Sequence, residues 1–149
     1  MATELDRILP VKDQALVLAA IKAAESLTAA QIRVHLEAHG RGIEPYPRAV
    51  ALFSHLGMTR TKQHTGVLLY VAVEDRRFAI VGDSGIHAVV GEEFWKSLSG
   101  LLASAFKQGT FGDGLRAAIV AVGEQLKEKL PPTPAAGNEL EDAISTRKD

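Results

Sequence analysis

The chain has 149 residues, 46% hydrophobic and 23% charged, a composition that suits one globular domain able to bury a substantial core. Seventeen Lys and Arg stand against eighteen Asp and Glu, for a formal net charge of -1, which excludes the strongly basic balance of a nucleic-acid binder. The absence of cysteine excludes disulfides, thiolate metal sites and thiol catalysis together.

The N-terminal MATELDRILPVKDQ has no basic stretch leading into an apolar one, and no run of about 18 apolar residues occurs. The expected location is therefore the cytoplasm, without direct membrane insertion. Pro10 opens a predicted helix over 10–27, because Val17, Ala20, Ile21, Ala24 and Leu27 fall on one stripe with Lys22, Glu25 and Ser26 outside it. In IRVHLEA, Ile32, Val34 and Leu36 alternate with Arg33, His35 and Glu37, the period of a strand with one wet face, at or near a sheet edge. Gly40 and Gly42 end it. Pro45 and Pro47 lead into a second helix, over 46–57, whose Ala49, Leu52, Phe53 and Leu56 repeat at helical spacing before Gly57.

GVLLYVAV, residues 66–73, is apolar on both faces and too short for an ordinary helix, so it reads as a central strand. The charged Glu74-Asp75-Arg76-Arg77 then turns the chain into FAIV, 78–81, as a hairpin. Phe94, Leu98, Leu101, Leu102 and Ala105 mark a helix over 91–107, with Trp95 beside its apolar stripe. Leu115, Ala118, Ile119, Val122, Leu126 and Leu130 mark the last one. From Pro131 to Asp149 large apolar residues are sparse, and this segment reads as a mobile tail with a transient turn at Glu139 to Ile144. The expected fold is an α/β domain over 1–130, layered αβα, in which a small mixed sheet built from one βαβ unit and one hairpin is flanked by helices.

The stretch with the most chemical content is Gly82-Asp83-Ser84-Gly85, directly after the hairpin's second strand. A trypsin-like nucleophile turn would need two β-barrels and an upstream His and Asp, and a GDS-type esterase would need several further βα units and a late Asp-x-x-His pair. The last histidine here is His87, three residues on, so no distant base activates Ser84. The block reads first as a turn, in which Asp and Ser bond nearby backbone and the glycines tolerate positive φ.

A second reading places Asp83, with Ser84, in a ligand crevice at a strand end. A hard cation, Ca2+ or Mg2+, is the natural partner of its carboxylate, with Glu92, Glu93 and Asp113 as further ligands where the turns bring them near. His35 and His39 are four apart, but the strand pattern splits them between the polar face and a loop, against a shared metal. His55 and His64 read as surface groups, Arg60, Lys62, Arg76 and Arg77 as a solvated surface, and Asp113 as a favourable charge at the start of the last helix.

Taken in order, AAIKAAESLTAAQIRVHLE, HTGVLLYVAVEDRRFAIVGDSGI and FKQGTFGDGLRAAI resemble the TPM domain family, the group that includes thylakoid-lumen acid-phosphatase-like proteins. The resemblance covers roughly residues 10–130 and implies an αβα layered domain with a mixed sheet. It further implies a phosphatase-like activity, or divalent-cation binding through carboxylates at loop ends. The chain departs from the family pattern where Gly82-Asp83-Ser84-Gly85 replaces a Gly-aromatic-Gly turn, so Asp83 stands at the aromatic position. Two functions are therefore expected to compete. One is cation or polar-ligand binding centred on Asp83. The other is a non-catalytic interaction module for a membrane or envelope partner, docking through the 32–37 strand and the 131–149 tail.

Overall fold

The computed structural model describes residues 3–132 and 144–147. Four strands form one mixed sheet in the order β3-β2-β1-β4, with β1 at Gln31–Glu37, β2 at Gly66–Ala72, β3 at Arg77–Gly82 and β4 at Ile144–Ser145. β1 runs parallel to both β2 and β4, and β3 returns antiparallel to β2. The βαβ unit and the hairpin are both present, and the hairpin's reversal places Arg76 at a positive φ of 55°.

Helices cover both faces. A short α1, Glu4–Ile8, which the sequence pattern did not signal, is closed by a capping box between Thr3 and Asp6. α2 is Val11–Glu25, α3 is Pro45–His55 with a proline in its first turn, and α4 is Ser84–His87. α5 is Glu92–Gln108, ended by Gly109 in the left-handed region, and α6 is Phe111–Leu126.

The period of two in the strands decides which helix covers which face. Ile32, Val34 and Leu36 of β1 join Val67, Leu69 and Val71 of β2 in a core with Val17 and Ile21 of α2, Leu98 and Leu102 of α5 and Ile119 and Val122 of α6. Leu68, Tyr70 and Ala72 point the other way and meet Ala49, Leu52 and Phe53 of α3, with Ala79 and Val81 of β3. Every residue of β2 is buried, as its unbroken apolar run required. Gly114 and Gly123 of α6 let that helix approach Ala105 and Ala24 closely enough that a Cβ would lie 2.1 and 3.0 Å from them.

Two expectations are corrected. The polar face of β1 is not wet: His35 and Glu37 are 1% and 0% exposed, on the face covered by α3. The β1 edge is not open over its middle, because Ile144–Ser145 pairs with Val34 and His35 there. Residues 144–147, which composition placed in a mobile tail, thus include an edge strand. The turn expected at Glu139 to Ile144 falls largely outside the described residues. Among the described residues no helix is long and apolar enough to cross a membrane.

Candidate functional site

Gly82-Asp83-Ser84-Gly85 is a strand-to-helix junction. Asp83 is the N-cap of α4, and its Oδ1 accepts the Ser84 amide at 2.7 Å. Its own amide donates to the Gly66 carbonyl, and the Gly85 amide donates to the His64 carbonyl, so the junction is stitched to the loop before β2. The two glycines are not used for positive φ, which Gly42, Gly57 and Gly109 adopt instead. They are needed for close approach. A Cβ on Gly82 would lie 2.3 Å from the Trp95 ring, and one on Gly85 would lie 2.2 and 2.6 Å from the Gln63 and His64 carbonyl oxygens.

Ser84 is exposed, and the Asp83 carboxylate engages its amide as a cap. His87, the nearest histidine in sequence, packs its ring on Trp95 at 5.0 Å. Asp83 Oδ2 behaves differently from Oδ1. It is shielded from solvent and accepts no hydrogen bond, while His64 Nδ1 lies 3.5 Å away. His64 is held at a φ of 57°, uncommon for a side-chain-bearing residue, and the hydroxyl of adjacent Thr65 is likewise buried and unpartnered. Strain and unmet polar atoms therefore coincide at this end of the sheet.

The other carboxylates named with Asp83 lie in the first turns of two different helices. Glu92 and Glu93 open α5, where Glu93 is almost fully exposed and lines a hollow with Gln125 and Lys129. Asp113, in the first turn of α6, pairs with Arg116 and shares a shallow hollow with Asp13. Among the described residues no three His, Asp or Glu side chains come together in a set able to hold a metal ion.

Strand direction adds a second point. Ligands of α/β sheets favour the carboxyl ends of the parallel strands. Asp83 follows the carboxyl end of β3, but β3 is antiparallel, and Gly82 pairs with Val67 near the amino end of β2. The carboxyl ends of β1 and β2 lie opposite, at Glu37 and Ala72.

There the structure holds a buried polar network that sequence reading missed. Glu37 Oε2 accepts from the Tyr70 hydroxyl at 2.8 Å and from Arg147 Nη2 at 3.0 Å, and Oε1 accepts from His35 Nε2 at 3.1 Å and from Arg48 Nη2. As a carboxylate can only accept, Nε2 of His35 carries a proton; Nδ1 meets Ser145 Oγ at 2.8 Å. Burial alone pushes the Glu37 carboxyl up, but hydrogen bonds from His35, Arg48 and Tyr70 outweigh it and hold its pKa at about 2. Burial, reinforced by the neighbouring Glu37, pushes the Tyr70 hydroxyl up, and the bond to Glu37 raises Arg48. The signal available in the sequence was the spacing of His35 and Glu37, two titratable groups on one strand face. Nothing in it paired them with Arg48 or Arg147.

Beside this network, His39 is bracketed by Asp75 and Glu74, each at 2.8 Å. Asp75 also accepts the Gly40 amide at 2.7 Å and is held below its ordinary pKa by that bond first and by His39 second.

The TPM domain model matches residues 3–125. The chain belongs to the TPM domain family. Its fold superposes on the NMR structure of the BA42 protein from the psychrophilic bacterium Bizionia argentinensis with a TM-score of 0.86 at 39% identity, over 93% of this chain and 94% of that one. Two more distant structures share the TPM domain's fold. The N-terminal domain of a P. gingivalis protein gives a TM-score of 0.68 at 19% identity, over 83% of this chain and 79% of its own. The N-terminal domain of cg2496 from Corynebacterium glutamicum gives 0.65 at 16%, over 79% and 74%. Among curated proteins none matches.

Proposed function

We propose that this TPM domain binds a hydrated divalent cation at the Asp83 end of its sheet. The observation that carries the reading is Asp83 Oδ2, a carboxylate oxygen shielded from solvent that accepts no hydrogen bond, with His64 Nδ1 at 3.5 Å. Such an atom is costly unless a ligand completes it. One carboxylate suits Mg2+, which retains several waters and uses one or two protein carboxylates, better than Ca2+, which takes six to eight oxygens. Asp83 would supply the charge, with the nearby backbone carbonyls and water as the remaining ligands.

Titration of the full chain with Mg2+ and with Ca2+, followed by NMR, tests it. Saturable shifts at His64, Asp83 and Ser84 that vanish in Asp83→Asn support the reading; no shift there at about 10 mM metal, well above a ~1 mM Kd, defeats it. A phosphatase activity belongs to this reading only if it needs the cation and Asp83 and survives Ser84→Ala. The interaction-module reading has less support, because β4 covers the middle of the strand on which it relied.

A further inference from the structure

A cavity of about 410 Å³ opens between α3 and β4, on the α3 side of the sheet. Arg48, Ala51, Leu52 and His55 line it from one face of α3, at the i, i+3, i+4, i+7 spacing, and His35 of β1 with Thr146 and Arg147, which follow β4, line the other side. Its size falls within the range of small-molecule sites. Among the described lining residues there is no carboxylate, while two guanidiniums and two imidazoles contribute.

Glu37 sits behind this cavity and explains how the arginines are held. Its two oxygens receive five hydrogen bonds from four side chains, His35, Tyr70, Arg147 and Arg48, the last through both Nε and Nη2, which saturates them. Arg147 is fixed a second time by the His39 carbonyl at 2.6 Å. Each guanidinium carries five N–H groups, more than these acceptors use, and both side chains keep about a fifth to a quarter of their surface in solvent, at 20% and 24%. Among the described residues of the network, two guanidiniums stand against one carboxylate. A single arginine would have sufficed to neutralise Glu37. The acidic pair Glu74 and Asp75 brackets His39 and does not line the cavity.

We infer that this cavity is a binding site for a small oxyanion, a phosphate or carboxylate group. Arg48 and Arg147 present forked donors to it, Glu37 positions them, and Ala51 and Leu52 receive the adjoining apolar part. Guanidiniums pre-set by a buried carboxylate bind such groups without first losing rotamer freedom. The site lies at the end of the sheet opposite Asp83 and is independent of cation binding there. It is completed by the segment 144–147, so occupancy also ties that segment to the sheet.

The test is NMR titration of the full chain with inorganic phosphate and, separately, with succinate, each against sodium chloride at matched ionic strength. The expected result is saturable shifts at Arg48, Ala51, His55, Thr146 and Arg147 with at least one of the two, the stronger identifying the class. Arg147→Gln and Ala51→Glu should each weaken binding about tenfold or more, the first by removing a charge-assisted donor, the second by bringing a carboxylate to the rim. Ala51 is exposed on α3, so its substitution leaves the core intact and keeps the test valid if Arg147→Gln fails to fold. Absence of saturable shifts with both anions, equal shifts with chloride, or full affinity in Ala51→Glu would each overturn the inference.

Discussion

The Tyr70 hydroxyl donates to Glu37 Oε2 at 2.8 Å across two neighbouring parallel strands, with both side chains fully withdrawn from solvent. The contact joins the central strand to a charge in the interior. The His35 ring stacks on Tyr70 with centroids 6.0 Å apart, so the hydroxyl is aimed by packing as well as by the bond. Tyr70→Phe keeps the packing and removes one of the five hydrogen bonds to Glu37. We expect a loss of about 1–3 kcal/mol in urea unfolding, the cost of leaving a buried acceptor short, and a Glu37 pKa higher than in the parent. Unchanged stability would mean that water or a rearranged arginine replaces the hydroxyl.

Glu37 makes the fold sensitive to acid. Its folded pKa of about 2 lies below its ordinary 4.5, so its contribution is fully present above that value and is lost as pH falls from 4.5 towards 2. The shift corresponds to something on the order of 3 kcal/mol. Stability measured from about pH 6 down to about pH 3 should fall accordingly, and Glu37→Gln should flatten this dependence. That variant should also be less stable at neutral pH by about 3–5 kcal/mol, because Arg48 and Arg147 lose their buried counter-charge.

His39 should titrate above its ordinary 6.5, raised first by its bond to Asp75 and further by Glu74. The sign is that of a protonated form favoured by folding: its contribution is present below 6.5 and fades as pH rises through the raised value. The midpoint of the His39 ring resonances reports it directly. Asp75→Asn should bring that midpoint down, and a midpoint indifferent to the substitution would refute the pairing.

Two glycines should respond in opposite directions. Gly85→Ala drives a Cβ into the backbone carbonyls of Gln63 and His64, which cannot swing aside, so a loss of about 1–3 kcal/mol is expected. Gly100, exposed in the interior of α5, has nothing within 4 Å of its Cβ position, and Gly100→Ala should add about 0.5–1 kcal/mol through helix propensity. Thermal melts of the two variants beside the parent decide both.

The elements legible from the amino-acid order are those whose residues answer to one local rule. The apolar stripe of α2, the two-faced apolar run of β2 and the charged hairpin after it follow from helical and strand periods, and the ordered segments carry the TPM resemblance that the family match over 3–125 bears out. α1 escaped because five residues are too few to show a period, and its evidence is a capping box alone.

The fate of the polar residues depended on how the elements pack. Alternation told which face His35 and Glu37 share, but not that α3 and β4 cover that face, because solvent exposure belongs to the partner surface and not to the strand. The meeting of Glu37 with Arg48, Tyr70 and Arg147 spans 110 residues of chain, and its donors are fixed by strand register and helix placement that no local pattern encodes. Likewise Asp83 was legible as a carboxylate at a strand end. That its strand runs antiparallel, opposite the carboxyl ends of β1 and β2, and that one of its oxygens accepts no hydrogen bond, are consequences of how the sheet is assembled.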